Sequence, residues 1–349
     1  MKSNGFNAVK KLLSFLGLLL ACACQKTTET TPAALECRFL TQTSSSTGGG
    51  VSSGKTTTTY EYNAQKQLVR SQTTFAGSDG KSSYVIGTTY EYDADGYATR
   101  SKSDRVYSTT GEYTDNASNA YQYEYQGGRL VKESDASRYE RRYAATGKTE
   151  LSTSTAVTRY EYEGSGAVSK ITAEYTSAST GTSTVTQTFS GGKLTRYSYK
   201  AATGQETEPY SLSEGRLIQE KRNDELTTYK YDVAGHLSRA ERYIGGKLYS
   251  FNEYTYDDQK TPTQADPTRQ LKGWPREKWG TSLYGNRDNN QLSERLVYVS
   301  AAGVQTENGA ITSTYFFNAK GLPVKQTRSG KWNSLAYSGE NTYGYTDCD

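Results

Sequence analysis

One short phrase recurs along this chain: two aromatic residues one position apart, a polar turn, then a mixed basic and apolar run. Tyr60-Glu61-Tyr62-Asn63 leads into Gln67-Leu68-Val69-Arg70, and Tyr90-Glu91-Tyr92-Asp93 into Gly96. Tyr123-Glu124-Tyr125 leads into Gly128-Arg129-Leu130-Val131, and Tyr229-Lys230-Tyr231-Asp232 into Gly235-His236-Leu237. Further copies start at Tyr160, Phe189, Tyr210, Tyr254 and Tyr315, and Tyr343-Gly344-Tyr345 ends the series. A phrase that repeats this way is a structural unit. Alternate residues of a strand share a face, so both rings of a doublet lie on one side. The Asn, Asp and Gly residues that follow favour a tight reversal, because they tolerate positive φ or bond locally to the backbone. Each phrase therefore predicts a β-hairpin.

The chain holds 31 Tyr against 8 Phe, and Met1 is its only methionine. Tyrosine offers a ring for burial and a hydroxyl that reaches water or a partner. Such usage predicts thin or half-exposed sheets, since a thick dry core calls for Leu, Ile and Phe. The expected fold is all-β, a long antiparallel meander of repeated hairpins. A sheet of on the order of twenty strands accumulates twist and curls, closes or splits. A large closed or nearly closed barrel is expected, with a spiral β-shell as the alternative. One domain runs over 35–349, with an irregular insertion at about 262–290.

Residues 1–21 read as a signal peptide. Lys10 and Lys11 flank an apolar run, Leu12 to Leu20, that is too short to span a bilayer. The run ends Leu19-Leu20-Ala21-Cys22, which resembles the lipobox of bacterial lipoproteins. That resemblance implies cleavage before Cys22, a lipid on that cysteine and residence in the cell envelope, on its periplasmic or outer side. A plain secretory signal is the alternative, as is lipid on Cys24. Residues 22–34 would then form a lipidated flexible tether. Residues 1–21 hold Lys2, Lys10 and Lys11 and no acid, so removing them takes the net charge from +4 to +1. No field remains to attract nucleic acid.

Cys37 lies in the first candidate strand and Cys348 in the last. First and last strands are neighbours in a closed sheet, and outside the cytoplasm facing cysteines oxidise. A Cys37–Cys348 disulfide is therefore expected to clasp the seam.

The run Tyr229 to Leu237 is similar to the YD repeats of Rhs-type proteins, whose β-strip spirals into a hollow shell. The whole layout resembles uncharacterised Bacteroidota lipoproteins, some with a porin-like fold, more closely. The matching parts are the lipobox, the hairpins, the insertion ending Arg287-Asp288-Asn289-Asn290, the unit Phe317-Asn318-Ala319-Lys320-Gly321-Leu322-Pro323, and the terminal Tyr345-Thr346-Asp347-Cys348. Tyr62-Asn63 and Tyr125-Gln126 depart from the YD pattern, which expects Asp. Neither family supplies functional residues, since the shared positions are structural.

Several motifs imitate chemistry. Gly49 to Thr56 matches a phosphate-binding P-loop, but that motif needs a following helix, and Thr56 to Tyr62 reads as strand. Gly50-Val51-Ser52-Ser53-Gly54 spells a nucleophile elbow, which needs a histidine base. The single histidine, His236, reads as a solvated turn residue. Asp93-Ala94-Asp95-Gly96 and Asp257-Asp258 are ordinary turn chemistry, with too few ligands for calcium. No catalytic residue, metal or cofactor is expected. In the insertion, Trp274, Trp279 and Tyr284 are candidate ligand-binding residues, because exposed aromatic faces stack on sugars. The competing reading is a plug that buries the tryptophans. The expected function is a non-catalytic binding or scaffold module, with carbohydrate or an envelope protein as partner and with no nucleic acid or nucleotide. The alternatives are an outer-membrane porin-like channel and an envelope hydrolase with a carboxylate pair.

Overall fold

The computed structural model describes residues 37–48, 53–164, 166–279 and 288–346. Among them are 21 strands and no α-helix. The first seven are β1 (Arg38–Gly48), β2 (Gly54–Tyr62), β3 (Leu68–Gly77), β4 (Ser82–Tyr92), β5 (Ala98–Thr109), β6 (Tyr113–Gln126) and β7 (Arg129–Tyr143). There follow β8 (Thr149–Tyr162), β9 (Val168–Ser177), β10 (Gly181–Ser190), β11 (Lys193–Lys200), β12 (Glu206–Thr207), β13 (Tyr210–Ser213) and β14 (Arg216–Arg222). The last are β15 (Glu225–Tyr231), β16 (Leu237–Ile244), β17 (Lys247–Lys260), β18 (Asn289–Val299), β19 (Gln305–Phe317), β20 (Pro323–Trp332) and β21 (Leu335–Thr346).

Every pairing is antiparallel. Each strand from β2 to β11 pairs with the next in sequence. The same holds from β13 to β20. β1 pairs with both β2 and β21, so the first and last strands join mid-sheet. No ladder joins β12 to β13 among the described residues, and the opening lies there. Glu208 and Pro209 separate these two strands, and proline has no N–H to give a ladder. The meander thus nearly completes a ring of hydrogen bonds without closing it.

The repeated phrase has one local structure. In Asp93 to Tyr97 the Asp93 N–H bonds the Tyr97 carbonyl at 3.0 Å. The Asp93 carboxylate accepts from the Tyr97 N–H at 2.9 Å. Gly96 takes φ 84°. Asp232 to His236 repeats this arrangement with Gly235 at φ 86°. Asn318 to Leu322 repeats it with Gly321 at φ 74°. In the Asn63 unit, Lys66 stands in the glycine position and is held at φ 62°, a conformation unfavourable for any residue with a Cβ.

At each such turn the register slips by one residue just before the second aromatic: Tyr62 faces Leu68, Tyr92 faces Ala98, Tyr125 faces Leu130, Tyr162 faces Val168 and Tyr231 faces Leu237. This bulge accounts for the extra residue between the turn and the apolar position. Leu68, Ala98, Leu130 and Val168 are all buried and line the same end of their strands. The core is thus a belt near the doublet turns. The distal halves of β1 and β2, rich in Thr and Ser, are only half-buried or exposed.

Candidate functional site

The doublets sort the two faces of the sheet. Their tyrosines form the buried face, with Tyr123, Tyr160, Phe189, Ala98 and Leu130 in one cluster. Phe39 stacks between Tyr60, Tyr343 and Tyr345 in another, with ring centroids 5.3 to 6.0 Å apart. The second tyrosine of a doublet also reaches back to the preceding unit. Tyr62 donates to the Phe39 carbonyl at 2.7 Å, and Tyr92 to Leu68 at 2.7 Å. Tyr162 donates to Leu130, Tyr231 to Leu217 and Tyr345 to Pro323, each at 2.6 Å. A ring buried with a satisfied hydroxyl stabilises through both parts. That double duty explains the excess of Tyr over Phe.

The residue between the tyrosines points to the opposite face, directly across from a cation on the returning strand. Glu61 faces Arg70, Glu91 faces Arg100, Glu124 faces Lys132 and Glu161 faces Lys170, with N–O distances of 3.8, 4.0, 2.7 and 3.2 Å. On β15–β19 the pattern becomes a continuous ladder, Lys230–Glu241–Arg239–Glu253–Arg295–Glu307, with contacts of 2.7 to 3.0 Å. The four exposed doublet pairs each stabilise little, whereas Glu241 within the ladder is buried. Together they leave this face densely charged.

The insertion lies against the tyrosine face. It contains three 3-10 turns, Pro262–Ala265, Pro267–Gln270 and Arg276–Trp279. It replaces the tight turn expected after Tyr254-Thr255-Tyr256-Asp257, and Asp257 instead accepts from the Asn290 N–H at 2.9 Å. Ala265 is fully buried beside Phe39. The Gly273 carbonyl accepts from the Leu130 N–H at 2.9 Å, and Lys272 Nζ donates to the Asp95 carbonyl at 2.8 Å. Gly273 is at φ 78°, and a Cβ there would lie 2.6 Å from the Gly128 carbonyl oxygen, so this contact needs glycine. Trp274 tilts on Tyr123 at 5.0 Å and donates Nε1–H to the Tyr125 hydroxyl at 2.8 Å. Lys278 Nζ sits 4.1 Å from the Trp274 ring centre and pairs with Glu133. Burial pushes the Lys278 ammonium down, and Glu133 opposes that shift. Burial raises Tyr90 to about 12, with Asp266 of the insertion adding to it. These contacts are those of a plug.

Cavities open on this face among the described residues. A cavity of about 600 Å³ is lined by Thr227, Tyr229, Leu237, Ala240, Tyr254, Tyr256, Asn289 and Gln291. A smaller one, of about 230 Å³, lies by Glu133, Tyr160, Ile171, Gln187 and Lys278. His236 borders the first. Its ring is buried, not solvated as the turn position suggests. It stacks on Tyr256 at 4.7 Å, meets Asp232 Oδ2 through Nδ1 at 3.0 Å, and meets Asn289 Oδ1 through Nε2 at 2.9 Å. The insertion returns the chain at Asn289 and so covers a turn that would otherwise face water. No periodicity signals that cover.

The other expected positions fall as follows. Trp274 is half-buried in the plug contacts above. The Trp279 side chain, Tyr284, Cys22, Cys24, Cys348 and the first four residues, 49–52, of the Gly49 to Thr56 motif lie outside the described residues. Thr56 to Tyr62 is strand, as the sequence predicts. Cys37 is buried and disulfide-bonded. Asp93 is committed to its own turn. Sequence reasoning missed Glu133, Lys278 and Asn289, whose residue types carry no local signature.

No protein-family model and no curated protein matches the sequence. Among solved structures, the chain is similar to a porin-like protein from Bacteroides uniformis, at 13% identity and a TM-score of 0.35, over 88% of this chain and 96% of that one. It is also similar to a porin-like protein from Bacteroides vulgatus, at 12% identity and a TM-score of 0.28, over 88% of this chain and 98% of that one. A third likeness is to the TcdB2-TccC3 structure, at 12% identity and a TM-score of 0.23, over 80% of this chain and 16% of that one. The chain is a β-rich protein with porin-like structural neighbours.

Proposed function

We propose that this is a lipid-tethered, water-facing β-protein of a bacterial envelope, acting as a non-catalytic binding module whose ligand enters the tyrosine face. The observation that carries the reading is the charged ladder on the opposite face, from Lys230 to Glu307 and at the four Glu–Arg or Glu–Lys pairs. A membrane-spanning barrel presents a continuous apolar band there. This protein presents ion pairs, so contact with the membrane is assigned to a lipid on Cys22. Trp274 is engaged in the plug, and the binding role is proposed for the cavities beside it. Glu133 is committed to Lys278, which occupies the carboxylate that a hydrolase would use there.

The test is partition. With Cys22 and Cys24 both replaced by Ala and export retained, the protein should be released without detergent and remain monodisperse. A variant that still needs detergent would favour the porin-like channel.

A further inference from the structure

We infer that the cavity on β15–β18 is a binding site for a neutral saccharide. The inference rests on the proposed binding role and names the class of its ligand. At about 600 Å³ the cavity lies within the ~300–1,000 Å³ of small-molecule sites. Tyr229, Tyr254 and Tyr256 supply ring faces, and Leu237 and Ala240 add apolar surface between them. A pyranose has the complementary character, with axial C–H groups on its faces and hydroxyls around its rim.

The polar groups of the wall divide into two sets. Tyr229 already donates to Glu220 at 3.0 Å, and Asn289 is held by His236 on Oδ1 and by the Gln259 carbonyl on Nδ2, the latter at 3.2 Å. These are positioned. The Tyr254 hydroxyl, the Thr227 hydroxyl and the Gln291 side-chain amide make no hydrogen bond to any described residue. They border the cavity and together supply donors and acceptors for sugar hydroxyls. Burial and nearby Glu294 keep the Tyr254 phenol protonated, its ionisation pushed well above the ordinary value.

No charged side chain lines the cavity; beside its wall Glu294 lies by Tyr254, Glu220 by Tyr229 is paired with Arg222, and Arg242 opposite Thr227 is paired with Glu225. Both flanking cations are already paired with carboxylates, so the wall offers uronates, sialic acids and phosphorylated sugars no counter-ion. The site is built for an uncharged ring.

The experiment is calorimetric titration of the detergent-free protein with neutral hexose oligosaccharides and with uronate-containing oligosaccharides of matched length. At least one neutral member should bind, with the uronate counterpart at least tenfold weaker. Tyr254→Ala should weaken binding tenfold or more and Gln291→Ala several-fold, while Arg295→Ala in the outward ladder changes nothing. Should Tyr254→Ala alter the circular dichroism spectrum, Gln291→Ala and Thr227→Ala carry the test. The inference is overturned by no neutral binding tighter than ~10 mM, by preference for the uronates, or by binding that ignores all three variants. Failure on those grounds in a protein that stays soluble without its lipid leaves the tether reading standing.

Discussion

The sheet has two junctions that do not follow simple chain order, and they are built in opposite ways. Where β1 meets β21, pairing runs from Arg38 opposite Thr346 to Gly48 opposite Tyr337. Phe39 stacks there against three tyrosines, and Gly48, at φ 81°, lets the backbones approach where a Cβ would meet the Ala336 carbonyl oxygen at 1.9 Å. Where β11 and β12 approach β13, only side chains meet. Tyr197 and Tyr210 lie 4.7 Å apart, and Leu212 packs on the cluster that holds Leu194 and Phe189. β12 pairs at only two positions, and Arg196 salts the edge with Glu206 and Glu208. Short strands, proline and charge are the usual means of keeping an edge from recruiting another chain. Closure by hydrogen bonds has been placed at the chain ends, where fraying would otherwise begin, and the opening has moved to mid-chain.

The largest effect should come from the first junction. Phe39→Ala should cost about 3–5 kcal/mol, as for a buried aromatic. Tyr197→Ala at the second should cost about 1 kcal/mol, because only one ring contact is lost. Denaturant melts of the two variants measure the contrast, and equal losses would dissolve it. Next comes the disulfide of Cys37. Thr346 stands opposite Arg38, and the partner expected from the sequence, Cys348, lies outside the described residues. Cys37→Ser and Cys348→Ser should each cost about 2–5 kcal/mol and should not add. Additive losses would assign Cys37 elsewhere.

Two carboxylates on β6–β7 give a pH test. Asp115 is held by Arg141 through bonds of 2.7 and 2.9 Å, which keep its carboxyl below the usual range. Its contribution is present above the unfolded value of about 3.9 and disappears as pH falls through the folded value. Asp135 is raised, first by burial and then by nearby Glu133, and its Oδ1 meets no partner among the described residues. Its sign is opposite: full stability exists below about 3.9 and is lost as pH rises through the folded value. Thermal melts should show Asp115→Asn less stable than the parent at pH 7, Asp135→Asn more stable at pH 7, and both differences shrinking toward pH 3. A gain for Asp115→Asn at pH 7 would contradict the bidentate pair. The smallest effect is Tyr231→Phe, which removes the 2.6 Å bond to Leu217 and should cost about 1 kcal/mol.

Much of this was legible because the hairpin is local. Tyr229 to His236 contains its own doublet, turn and cap, so strand, reversal and face assignment follow from period and turn chemistry. The meeting of the first and last strands followed from one global rule, the avoidance of edges. The bulge before Tyr62 was not legible, since a one-residue slip leaves composition unchanged. The burial of His236 was missed for a different reason. It depends on Asn289, 53 positions away, and on where the insertion returns. The cavity residues Thr227 and Gln291 likewise acquire meaning only once β15 and β18 stand near each other across β16 and β17.

Hydrogen exchange read by mass spectrometry tests most directly whether the ends of the chain are stitched and the middle is open. Peptides spanning 38–48 and 335–346 should be protected as well as those of β6 and β7, while 193–200 and 206–213 exchange much faster. Fast exchange at 38–48 together with protection of 193–213 would contradict the account.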